Sequence, residues 1–83
     1  MIRIRVRLFS ILAELSGQKD LEFWSSENAS CGEVLSRLGK MMDFPESVLR
    51  SCFVAVNGNS VDLKSPVREG DELAILPPVS GGR

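Results

Sequence analysis

The chain has 83 residues, 43% of them hydrophobic and 25% charged, with a formal net charge of −1. That is enough for one small domain with a modest core, and too little to house a deep active site as well. The near-neutral charge gives no reason to expect nucleic acid or an anionic membrane surface as partner, and no apolar run approaches the ~18 residues of a membrane span.

Cys31 and Cys52 are the only cysteines, and there is no histidine. They form no C-x-x-C pair and, without histidine, no zinc-ligand set. The N-terminus alternates arginine with apolar residues, so it lacks the apolar core of a signal peptide. A reducing, cytoplasmic setting with two free thiols is therefore expected, although count alone leaves a disulfide open. A nucleophilic Cys31 would lack a histidine base, so both cysteines read as small apolar residues.

In chain order, Ile2, Ile4, Val6 and Leu8 alternate with Arg3, Arg5, Arg7 and Phe9. The period of two predicts a half-buried strand, aliphatic side inward and arginines outward. A solvated sheet face is the ordinary reading of such a row; an acidic partner docked on it is the alternative. Ser10 stands where a cap for a short helix through Ile11, Leu12, Glu14 and Leu15 belongs, and Gly17 where a terminating glycine belongs. Residues 19–24 read as a second strand, with Leu21 and Phe23 on one face and Trp24 either on the other or at the strand end.

Ser30-Cys31-Gly32-Glu33 has capping-box spacing, and Val34, Leu35, Leu38, Met41 and Met42 follow at helical intervals. This predicts the principal helix over residues 31–42, with that stripe covering the sheet. Pro45 forces Phe44 out of the helical region and opens another short turn through Val48 and Leu49. Phe53 to Val56 form an apolar strand. Asn57-Gly58 is a hairpin signal because both residues tolerate positive φ. Val61 and Leu63 belong to a short return segment. Residues 72–76 make the last strand, Leu73 and Ile75 on one face and Leu76 on the other. One main helix across a mixed sheet is a two-layer α+β arrangement; if the first and last strands pair in parallel, it is a β-grasp.

After that strand comes Pro77-Pro78-Val79-Ser80-Gly81-Gly82-Arg83. Two prolines end sheet pairing, and two glycines leave a thin chain. Five residues beyond Pro77 extend at most about 18 Å. The tail offers no side-chain base, so chemistry there would use a main-chain carboxylate. Read alone, it is also what a frayed terminus looks like. The expected organisation is one domain over residues 1–83, with 77–83 as an extended, flexible tail.

The chain resembles the ubiquitin-like sulfur carriers, and among them most closely the small subunits of molybdopterin synthase. The residues that carry this are Val6-Arg7-Leu8-Phe9 with Glu14-Leu15-Ser16-Gly17, then Val56-Asn57-Gly58, Gly70-Asp71-Glu72-Leu73, and the ending Leu76-Pro77-Pro78-Val79-Ser80-Gly81-Gly82. The region 22–52 matches in pattern only. The resemblance implies a carrier that is not an enzyme by itself and binds no cofactor. An ATP-dependent adenylyltransferase of the ubiquitin-activating type would adenylate the Gly82 carboxylate, and a sulfur donor protein would convert it to a thiocarboxylate. Pro77, Pro78, Val79, Ser80 and Gly81 would then enter the large subunit of the synthase, which uses the sulfur for the dithiolene of the pterin.

Leu8, Phe9, Ile75 and Leu76 are expected to form the partner surface, being apolar where strand ends should be solvated. Ile75-Leu76 stand where the family often has paired phenylalanines. Arg83 is the larger departure, because it puts a peptide bond where Gly82 needs a free carboxylate; its proteolytic removal is expected. Sulfur delivery to thiazole or transfer RNA, a ubiquitin-like modifier joined through Gly82, and a binding module with an inert tail are the alternatives. A β-grasp ferredoxin would need four cysteines.

Overall fold

The computed structural model describes residues 1–77; the expectations for Pro78, Val79, Ser80, Gly81, Gly82 and Arg83 lie outside the described residues. In chain order the elements are β1 Ile2–Leu8, α1 Ile11–Ser16, β2 Asp20–Ser25, α2 Cys31–Met42, α3 Glu46–Arg50, β3 Phe53–Val56, β4 Asn59–Val61 and β5 Glu72–Leu76.

β1 forms because its alternation gives one wholly aliphatic side: Ile2, Ile4, Val6 and Leu8 are buried and the arginines between them exposed. β2 lies antiparallel beside it with Ile4 level with Phe23, one residue later in the chain than the sequence suggested. Phe23 faces the core and Trp24 the opposite side, where it is exposed. α2 has the expected bounds. The Ser30 hydroxyl accepts from the Glu33 N–H while the Glu33 carboxylate accepts from the Ser30 N–H, closing the capping box. At its other end Asp43 turns left-handed, with φ of 59°, and its N–H donates to the Gly39 carbonyl. Val34, Leu35 and Leu38 are buried, but Met41, expected in the same stripe, is exposed, and Met42 is half-buried. The stripe that meets the sheet is narrower than the run of apolar residues.

α1 ends on Gly17 at φ 74°, as expected, but the Ser10 side chain makes no capping hydrogen bond. Ser10 instead sits at φ 55°, ψ −128°, a region that favours glycine. Asn57 and Gly58, at φ 51° and 85°, turn β3 into β4. Val61 belongs to β4, whereas Leu63 lies beyond it and is exposed.

The five strands run in the order β2-β1-β5-β3-β4. β1 pairs with β5 in parallel, Arg5 level with Glu72 and Leu8 with Ile75. β3 runs antiparallel to β5, Phe53 level with Leu76 and Val54 with Ile75. A mixed sheet with first and last strands side by side and one long helix across it is a β-grasp. The core lies between α2 and the inner face, and takes in Leu12, Phe44 and Val67 from the connections. Each such fully buried aliphatic contributes about 1.5–3 kcal/mol over its exposed state.

Candidate functional site

Because β1 and β5 are parallel, their C-terminal ends share one end of the sheet. The chain therefore leaves β5 beside the start of α1, and Pro77, half-buried, is the first residue past the strand. The surface around this exit was expected to comprise Leu8, Phe9, Ile75 and Leu76, and the structure divides that set. Leu8 and Ile75 are 3% and 0% exposed and belong to the core, so neither meets a partner. Both are in phase with the buried positions of their own strands, Val6 and Leu73. Leu76 faces the other way and is 36% exposed. Phe9, one step past β1, is half-buried. Its ring lies beneath the Arg7 guanidinium, 5.6 Å from ring centre to carbon, within reach of a cation–π contact.

Phe53 completes the surface. It stands level with Leu76 on β3 and is 64% exposed. Ala55 and Ala74, level with each other one pleat further in, keep the face flat. The root of the tail is thus an apolar patch on the sheet face away from α2, made by Phe9, Phe53 and Leu76. Arg7 borders it, its guanidinium 3.4 Å from the Glu72 carboxylate.

Two motifs quoted above meet through one network. The Asn57 amide donates to the Asp71 carboxylate at 3.1 Å and accepts from the Glu72 N–H at 3.0 Å. The other Asp71 oxygen accepts from the Arg68 N–H at 2.8 Å, and the Asp71 carbonyl accepts from the Arg5 N–H at 2.9 Å. Val56-Asn57-Gly58 and Gly70-Asp71-Glu72-Leu73 are therefore two halves of one clamp that fixes where β5 begins.

Neither cysteine sits in the setting of an activated thiol. Both are free; Cys31 is buried, and the Cys52 thiol donates to the Val48 carbonyl at 3.1 Å. Burial pushes the Cys31 thiol up first, with Asp71 and Asp62 adding to it, and burial pushes Cys52 up as well. Both are held neutral, the opposite of an activated thiolate. Among the described residues no grouping of side chains could hold a metal ion, and no helix is long and apolar enough to cross a membrane.

Fold and site together define a ubiquitin-like protein whose last strand delivers the chain to an open apolar face. The ThiS family matches residues 6–82, and the chain belongs to it. Among its relatives, a molybdopterin synthase sulfur carrier subunit of Arabidopsis thaliana is 36% identical, over 98% of this chain and 84% of that one. One of Chlamydomonas reinhardtii is 30% identical, over 98% and 100%. Small archaeal modifier protein 1 of Haloferax volcanii superposes with a TM-score of 0.83 at 30% identity, covering 96% of this chain and 99% of that one. A chain from the complex of subunits 1 and 2 of the molybdopterin-converting factor of Helicobacter pylori superposes with a TM-score of 0.69 at 26% identity, covering 98% and 100%.

Proposed function

We propose that this chain is a cytoplasmic sulfur carrier that works as the small subunit of molybdopterin synthase, with the carboxylate of Gly82 as its working group. The observation that carries the reading is that the family match continues to Gly82, past the end of β5 at Leu76, where the apolar root begins. A carboxylate is a poor electrophile until one oxygen becomes part of a good leaving group. An ATP-dependent adenylyltransferase supplies AMP as that group, and a sulfur donor protein replaces it to leave a thiocarboxylate. Residues without bulk at Gly81 and Gly82 suit a narrow passage into the large subunit, which does the catalysis. Pro77 and Pro78 stiffen the start of the tail, reducing the entropy lost on insertion. Phe9, Phe53 and Leu76 are the surface on which that subunit seats.

The active species ends at Gly82. With Arg83 attached, adenylation would fall on a residue whose long cation must follow the glycines, and burying an unpaired guanidinium is costly. The test compares chains ending at Gly82 and at Arg83, each incubated with activating enzyme, ATP and sulfur donor and weighed intact. The Gly82 form gains the mass of sulfur replacing oxygen; the Arg83 form does so only after trimming. Equal conversion of a chain that still bears Arg83 would refute the carboxylate argument.

A second reading is favoured by the likeness to small archaeal modifier protein 1: attachment through Gly82 to protein lysines. Conjugates bearing the Gly82 remnant on lysine, recovered from cells, would support it.

A further inference from the structure

The outer face of the sheet carries a second feature alongside the apolar root. Arg3, Arg5 and Arg7 project there in a row, flanked by Glu22 on β2 and Glu72 on β5. The Arg3 guanidinium lies 3.8 Å from the Glu22 carboxylate and that of Arg7 3.4 Å from Glu72. Arg5, level with both glutamates, forms no ion pair among the described residues, because each carboxylate is drawn to the neighbouring arginine. Asp20, the remaining acid of β2, lies level with Arg7, one pleat further toward the tail end. Arg5 borders a surface depression of about 310 Å³, with Asn57 and Gly70 on its rim. That rim is fixed. The Gly70 N–H donates to the Arg3 carbonyl at 2.9 Å, and Asn57 is held by Asp71 and Glu72 as described.

We propose that Arg5 is the seat for a single carboxylate of the large subunit, and that it sets partner choice where the apolar root supplies adhesion. This rests on the reading of the chain as a synthase small subunit. Arg3 and Arg7 each have a glutamate at ion-pair distance, and Asp20 also lies level with Arg7, so Arg5 is the guanidinium of the row left for a partner's carboxylate. A phosphate, with nearly two charges, would meet Glu22 and Glu72 on either side. A guanidinium offers a planar fork that matches a carboxylate. Glu72 and Leu76 are four residues apart on β5, about 13 Å at the usual strand rise. The partner therefore carries an Asp or Glu at about that distance from the apolar side chains that cover Leu76 and Phe53.

The test is calorimetric titration of the chain with the large subunit encoded by the same genome, at low and at high salt. Arg5→Gln is expected to weaken binding about tenfold and to flatten the salt dependence, Arg5→Glu to weaken it further, and Arg5→Lys to restore part of the loss. Arg3→Gln, which removes an arginine already paired, should change affinity far less. Arg5→Gln, Arg5→Lys and Arg3→Gln should melt with the wild type, since these side chains are exposed, whereas Arg5→Glu sets three carboxylates side by side and should melt somewhat lower while still folding. Wild-type affinity and salt slope in Arg5→Gln would overturn the inference and leave the synthase reading standing, as would an equal loss in Arg3→Gln. No binding by the wild-type chain would overturn both. Dimers of the isolated chain that vanish with Arg5→Gln would overturn the inference by putting a second copy on this face.

Discussion

Ile75 and Leu76 are neighbours in sequence on opposite faces of β5, and substituting each separates the core from the proposed partner surface. Ile75 is fully buried between Leu8 of β1 and Val54 of β3, beneath α2. Truncating such a residue to alanine removes its transfer free energy and leaves a cavity, together about 3–4 kcal/mol. A domain of this size is stable by roughly 4–12 kcal/mol. Ile75→Ala should therefore forfeit roughly a quarter or more of the total, and lower Tm by roughly 12–30 °C. Leu76→Glu loses chiefly a cross-strand contact with Phe53, worth about 0.2–1 kcal/mol, so it should melt within about 8 °C of wild type. Its effect falls on docking: a charge at the centre of an apolar contact should weaken binding to the large subunit at least about tenfold. Unfolding is best followed by far-ultraviolet circular dichroism, because Trp24 is already half exposed and reports little. Equal destabilisation by the two substitutions, or unchanged affinity in a folded Leu76→Glu, would refute the division of β5 into a core face and a docking face.

Ser10→Gly should stabilise the domain by about 1 kcal/mol, since glycine adopts its backbone conformation without strain; a urea midpoint at or below wild type would contradict this. The thiol of Cys31 makes stability pH-dependent on the alkaline side. Its folded pKa is raised, so its contribution is complete below the unfolded value of about 8.5 and is lost as pH climbs toward the folded value. Urea midpoints measured from about pH 7 to about pH 10 should fall less steeply for Cys31→Ala than for wild type, and equal slopes would count against the burial argument.

α2 was legible to the residue because a capping box marked its start and the apolar spacing set its phase. β1 and the Asn57-Gly58 turn were equally plain, being strong local signals. The apolar patch at the tail root, proposed as the partner surface, was legible only in part. Leu8 and Ile75 follow the inward phase of their strands, and judging them by nearness to the strand ends hid that phase. Phe53 was missed for another reason. Phe-Val-Ala-Val is apolar throughout, so no alternation shows which residue turns outward; only its register against Leu76 decides. The Asn57–Asp71 clamp joins turns far apart in sequence, and local pattern carries no trace of it. The bend at Ser10 was invisible because serine before an apolar run looks like a helix cap whether or not its hydroxyl is used.

The central pair of the sheet also fixes when the protein can fold. β1 is synthesised early, but its parallel neighbour is the last strand among the described residues. Until residue 72 and those after it have cleared the ribosome, the aliphatic side of β1 lacks half of its lateral support, and only the β1–β2 hairpin can persist. Pairing of such distant segments closes a large loop before any contact repays it, which makes folding slow for so small a domain. A sheet whose central pair joins the start of the chain to residues 72–76 thus cannot form on a partial chain, and any partner that recognises its outer face must wait for β5.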